Sequence, residues 1–168
     1  RALHEAVPIV ISCSYSGSLA MGFSRKVRGL LRETSYKTTF KTRLDPESQS
    51  AEAWLTTGGG GYVAAGVGGG ITGKGAHILV IDDPVKNRED AESQNNREAN
   101  WDWYTSTAYT RLAPGGGVLV ILTRWHDDDL AGRLLKAGSE GGDEWEVVRY
   151  PAIAEEDEAS LSTGEPLH

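Results

Sequence analysis

The chain has 168 residues, enough for one domain that buries a core without disulfides or a structural metal. An apolar fraction of 39%, and 21 glycines that cluster at Gly58 to Gly75 and Gly115 to Gly117, exclude a disordered low-complexity chain. The net charge of -7 excludes a protein that coats nucleic acid with its whole surface. No apolar run approaches the roughly 20 residues of a membrane span, and the N-terminus lacks the basic start, apolar middle and small-residue cleavage site of a signal peptide. The single Cys13 rules out an internal disulfide, so a soluble, reducing, cytoplasmic setting is expected. Charge is uneven along the chain: Arg25, Lys26, Arg28, Arg32, Lys37, Lys41 and Arg43 stand against Glu33 alone, a net +6 that leaves -13 for the rest. A local basic face built around Arg25, Arg28 and Arg32 fits contact with DNA phosphates, and a solvated helix face followed by a polar loop accounts for it equally well.

Taken in chain order, Pro8 to Ser14 is β-branched and apolar and predicts a buried strand. A helix follows, capped by Ser16 or Ser18, with Leu19, Phe23, Val27, Leu30 and Leu31 inward and Arg25, Arg28 and Arg32 nearer the open side. Tyr36 to Gln49 is polar and turn-rich, with Asp45-Pro46 as punctuation. Ala53 to Thr57 and Tyr62 to Val67 predict a hairpin around Gly58 to Gly61. The run His77 to Pro84, HILVIDDP, predicts a strand covered on both faces and ending in two carboxylates. Arg88 to about Arg111 predicts a helix whose face holds Trp101, Tyr104, Ala108 and Leu112, ended by Pro114 and three glycines. Gly117 to Thr123 then predicts a second buried strand, Asp127 starts a helix with Leu130, Leu134 and Leu135 inward, and Trp145 to Tyr150 predicts a last strand. From Pro151 the composition turns acidic and small, as in a linker or tail, so residues 1–150 are read as the core and 151–168 as the tail.

Gly68 to Lys74, GGGITGK, matches the phosphate-cradling spacing G-x-x-x-x-G-K but is excluded as such a loop. That loop needs a Ser or Thr after the Lys for magnesium and a helix whose N-terminus faces the phosphates. Here Gly75 follows Lys74, and a strand starts about two residues later. The acids at the end of His77 to Pro84 suit a different task. A carboxylate just past a strand's last apolar residue holds magnesium-bound water beside a nucleotide, and the next acid orients or deprotonates the attacking water. Asp82 takes the first role and Asp83 the second, and Thr123 at the end of the next strand is placed to sense a terminal phosphate. Taken alone, Asp-Asp-Pro also reads as a turn or helix cap, and Asp127 to Asp129 as the start of a helix.

Several blocks resemble phage large terminase subunits, the ATPases that package DNA: ISCSYSGSLAMGFSRKVRGLL from Ile11, GITGKGAHILVIDDPVKNREDAES from Gly70, NWDWYTSTAYTRLAPGGGVLVILTRWHDDDLAGRLL from Asn100 and WEVVRYPAIAEEDE from Trp145. The resemblance implies a RecA-like P-loop ATPase core of the ASCE type, a mostly parallel α/β sheet flanked by helices, with ATP and Mg2+ as its cofactors. Asp82 matches the Walker B magnesium acid, Asp83 the catalytic acid and Thr123 the coupling motif. Lys74 matches a position where relatives carry a basic residue that reaches a neighbouring subunit's nucleotide. Double-stranded DNA, a portal protein, a small terminase subunit and a homo-oligomeric ring at the procapsid in the host cytoplasm are the implied partners and setting. Two departures stand out: Asp83 occupies a position where many relatives carry Glu, and no acceptable phosphate loop is present. The family's loop precedes the strand at Pro8 to Ser14 and its nuclease domain follows the tail, so the sequence is expected to be a piece that binds ATP weakly if at all by itself. The alternatives are a non-catalytic DNA-binding or assembly module using 25–43, and a magnesium-dependent nuclease using Asp82, Asp83 and Asp127 to Asp129.

Overall fold

The structure, a computed structural model, describes residues 8–150. The chain divides into two compact units, Arg1–Arg133 and Leu134–His168. The first holds a mixed six-stranded sheet flanked by helices, in the order β2-β3-β4-β1-β5-β6. Its strands are β1 (Ile9–Ser14), β2 (Leu44–Gln49), β3 (Ala53–Thr56), β4 (Gly61–Gly66), β5 (Ala76–Asp82) and β6 (Leu112–Ile121). Strand β1 runs parallel to both β4 and β5, and β5 parallel to β6, while β2, β3 and β4 form an antiparallel meander. The predicted hairpin around Gly58 to Gly61 is the β3-β4 pair.

Helix α1 (Gly17–Leu30) starts where expected, because the Ser16 hydroxyl accepts from the Leu19 N–H at 3.3 Å. Its inner face differs from the predicted stripe. Ala20 and Ser24 are the buried residues, and Leu30 is exposed. The helix sits close to the sheet: a Cβ on Gly66, at the end of β4, would lie 2.9 Å from the backbone nitrogen of Gly17. Small residues therefore suit the contact line. The core on this side joins Ala20 to Trp54, Tyr62 and Ala64, with Val10, Met21, Val27, Leu31 and Leu44 packed around them. Trp54 and Tyr62 stack at 5.4 Å, and the Trp54 indole N–H donates to the buried Ser24 hydroxyl at 3.0 Å, tying β3 to α1.

The polar stretch 36–49 is more ordered than its composition predicts. It contains the end of α2 (Thr34–Thr39) and the whole of β2. Pro46 is accommodated because β2 is an edge strand that pairs only near its ends, at Leu44 with Thr56 and Gln49 with Trp54, across a bulge. The Arg43 guanidinium donates to the carbonyls of Lys37 and Phe40, closing the C-terminus of α2.

The predicted single helix over 88–111 is four pieces: α3 (Arg88–Glu92), α4 (Gln94–Trp103), a wide π turn over Tyr104–Ala108 and a tight 3-10 turn over Tyr109–Arg111. Asn87 caps α3, and Ser93, in extended conformation, ends it and caps α4 by accepting from the Asn96 N–H. Strand β6 begins at Leu112, five residues earlier than predicted, and runs through Pro114 and the glycines as the sheet's edge. It is not a buried strand, since Leu119 and Ile121 are about half exposed. Strand β5 is likewise covered on one face only. Leu79 and Ile81 are fully buried, while Ile78, on the face it shares with Leu119, is exposed.

Helix α5 (Leu130–Ser139) starts three residues later than predicted, and its cap is Asp129, which accepts from the Gly132 N–H at 2.8 Å, not Asp127. The second unit takes up the chain at Leu134, where Leu134 is buried. The helix ends in a Schellman closure: the Gly142 N–H reaches the Ala137 carbonyl at 2.9 Å, with Gly141 at φ +97°. The predicted strand at Trp145 to Tyr150 is absent. Val147, Val148 and Tyr150 are exposed and no strand pairs with them among the described residues, so their β-forming composition has no ladder to join. The predicted tail, 151–168, lies outside the described residues.

Candidate active site

The sheet's winding fixes where a ligand can sit. From β1 the chain moves through α1, β2 and β3 to β4 on one side, whereas from β5 it moves through α3 and α4 to β6 on the other. Right-handed crossovers in opposite directions put their helices on opposite faces and leave a crevice beyond the carboxyl ends of the two strands where the direction reverses. Those strands are β1 and β5. Strand β5 ends at Asp82.

Asp83 closes this junction. Its N–H donates to the Ile121 carbonyl at the end of β6, and its carbonyl accepts from the Tyr15 N–H just past β1, both at 2.9 Å. Asp83 has φ +44°, the one non-glycine residue with positive φ among the described residues. The two sheet bonds hold it there, and Asp tolerates this region better than branched or bulky residues do. The left-handed turn breaks the strand direction between the two acids. Burial, followed by the nearby charge of Asp83, raises the Asp82 carboxyl above its ordinary range.

A small cleft beside the junction is lined by Asp83, Thr123, Arg97, Asn100, Trp125 and Asp129 among others, and its enclosed part, about 20 Å³, has room for one water. Thr123 is exposed and lies two residues beyond β6, on the same side of the junction as Asp83. A wider cleft of about 400 Å³ adjoins it through Pro84, Val85 and Asn100, and reaches Tyr15, Lys86 and Trp103. The structure thus brings Asp83 and Thr123 to one cleft, with Asp82 one residue earlier as the last residue of β5.

Lys74 is elsewhere. It lies in the connection before β5, two residues ahead of Ala76, so the length of β5 separates it from Asp82 by about 20 Å at ~3.3 Å per residue. Within one chain the two share no site. No helix follows Lys74, in agreement with the exclusion of GGGITGK as a phosphate loop. Of the three arginines on the basic face, Arg25 is exposed, whereas Arg28 donates to the Gln49 carbonyl and Arg32 to the Gln49 side chain. Part of that positive stretch therefore fastens α1 to β2.

Two features of the site escape a reading of the sequence. Asp128 is the hub of an ion cluster: its carboxylate accepts from Arg133 at 2.8 and 2.7 Å and from Arg97 at 3.2 Å, and these guanidiniums hold it well below the usual carboxylate range. Asp129 is buried, accepts from Arg124 and caps α5. Both acids are thus committed to arginines and a helix end. Among the described residues no group of three or more His, Cys, Asp or Glu side chains is placed to hold a metal ion. Magnesium beside a nucleotide needs only one or two carboxylates, completed by water and phosphate, so that criterion does not bear on the Asp82-Asp83 pair. Cys13 takes no part, its thiol buried and pushed up to about 12 by that burial.

Comparison with protein families gives a match over residues 1–168 to the model described as Terminase large subunit, T4likevirus-type, N-terminal. The chain belongs to this family. The terminase chain accordingly has a role in phage DNA packaging. No curated protein matches it. No helix of the terminase chain, among its described residues, is long and apolar enough to cross a membrane.

Proposed function

We propose that this domain supplies the magnesium side of an ATP-hydrolysing site, on a RecA-like core, whose turnover drives double-stranded DNA into a procapsid. The observation that carries the reading is the Asp82-Asp83 pair at the carboxyl end of β5, beside the reversal of sheet direction, with Asp82 desolvated and repelled by its neighbour. Such a pair gains from a divalent cation that neutralises it. Magnesium held there would supply Lewis-acid stabilisation of the charge that develops on the phosphates. Asp82 orients that ion's water shell. Asp83 accepts the proton of the water that attacks the terminal phosphorus, and the Thr123 hydroxyl, across the same cleft, donates to a terminal phosphate oxygen. Asp is one methylene shorter than Glu, and the left-handed turn at Asp83 redirects its carboxylate relative to the strand. Lys74, at the far end of β5, would serve only a neighbouring subunit's nucleotide in a homo-oligomeric ring.

DNA is proposed to be met at the exposed part of the basic face, Arg25 first, with Arg28 and Arg32 adding field more than direct contacts. The portal protein and the small terminase subunit complete the proposed partners, in the host cytoplasm. The nuclease alternative finds no support in a cluster whose Asp128 and Asp129 are paired with arginine. The test is equilibrium binding of ATP to the intact large subunit with and without magnesium. Wild type is expected to bind tighter with the ion, and Asp82→Asn to lose that difference. An unchanged magnesium dependence in Asp82→Asn would remove Asp82 from the site.

A further inference from the structure

The cleft that holds Asp83 and Thr123 also holds one cation whose bonding is incomplete. The Arg97 side chain is only 11% exposed. It spends Nε on Asp128 Oδ2 at 3.2 Å and Nη1 on the Ala91 carbonyl at 2.8 Å, while Nη2 has no partner among the described residues. A guanidinium has five N–H donors in a planar fork, and Nη2 is not among the fully buried unpaired atoms, so its donors stay open to solvent or a ligand. The residue lines the cleft beside Asp83, Thr123 and Asn100. A side chain so withdrawn from solvent, with donors to spare and a fork shaped for oxyanions, suits a tetrahedral phosphate group.

The other end of its attachment makes exchange feasible. Asp128 also accepts two bonds from Arg133, at 2.8 and 2.7 Å, so if Arg97 turned away the carboxylate would keep a bidentate partner. The usual penalty for stripping a charge of its counter-ion is thereby reduced. Asp128 belongs to the segment between β6 and α5 that begins just past Ile121 and carries Thr123. Arg97 is on α4, so its bond to Asp128 ties that segment to α4.

We propose that Arg97 reads the terminal phosphate of a nucleotide in this cleft, exchanging Asp128 for the phosphate and so releasing the Thr123 segment from α4. This rests on the reading of Asp82 and Asp83 as the acids of an ATP site. The discriminating quantity is the ratio of ATP to ADP affinity in the intact large subunit, measured by equilibrium binding with magnesium. Arg97→Gln should weaken ATP binding about tenfold or more while leaving ADP within about twofold, because only ATP carries the group being read. Arg97→Lys, which keeps the charge but not the fork, should fall between the two. Asp128→Asn frees Arg97 and should leave the preference for ATP equal to or greater than that of wild type. Equal losses for ATP and ADP in Arg97→Gln, or the same loss of ATP affinity in Arg97→Gln and Asp128→Asn, would reduce Arg97 to a strut and overturn the proposal. Thermal melts of each variant separate misfolding from lost recognition, and Arg97→Lys carries the test if the Gln variant does not fold. Failure of the wild type to bind ATP would bring down the site reading itself.

Discussion

Asp83 shows how much a single position does that its residue type does not reveal. A run of apolar residues ending in two acids makes the pair visible in the sequence, but the left-handed backbone at φ +44° comes from bonds to Tyr15 and Ile121, 68 residues before it and 38 after it. Replacing Asp83 by Asn, which tolerates this region, should leave global stability within about 0.5 kcal/mol. Asp83→Val should cost about 1–2 kcal/mol by urea unfolding, since a β-branched side chain clashes there. Equal stability of the two variants would show that the turn is not held under strain. Arg97 was hidden for a related reason. In the sequence it is one charge on a polar helix, and its meaning depends on an aspartate 31 residues later.

At the scale of elements, periodicity located β1, α1, β3, β4 and β5 because each has either a continuous apolar run or a capping residue next to one. It failed where tertiary partners set the structure. Strand β2 exists because β3 offers it an edge, and the predicted strand at 145–150 does not form because nothing among the described residues pairs with it. The break at Ser93 divides a predicted long helix, and the cluster around Asp128 then fastens its second half to the segment before α5. Asp128→Asn should lower stability by about 1 kcal/mol at neutral pH, near the top of the range for exposed pairs because Arg97 is largely buried. Since its arginine neighbours depress the Asp128 carboxyl, that contribution is complete above the unfolded value, about pH 4, and should fade as pH drops towards the folded one. Urea unfolding of wild type and variant at pH 7 and pH 2.5 checks this, with a difference that grows in acid being the contrary result.

Across the whole molecule, the reversal of winding between β1 and β5 does what no single motif could. It sets an ambiguous Asp-Asp turn beside a crevice, and Asp83 also lines a small cleft with Thr123 and Arg97, which come from either side of the 112–121 strand in the chain. The strand order was not legible, because pairing partners are chosen by the burial of whole faces and not by local pattern. Even the expected two-sided burial of β5 is half realised, leaving Ile78, Leu119 and Ile121 on an open patch. The site is costly to the fold: Asp82 is held desolvated beside a like charge, and its raised carboxyl means that ionisation opposes folding as pH rises through that value. Neutralising it should therefore stabilise the protein while disabling it. The most direct measurement is the ATP turnover and melting temperature of Asp82→Asn in the intact large subunit, on the same preparation at neutral pH. Turnover reduced by more than about a hundredfold together with a melting temperature at or above wild type is expected. Normal turnover, or a variant that loses activity only because it melts earlier, would contradict the assignment of Asp82 to the magnesium edge of a nucleotide site.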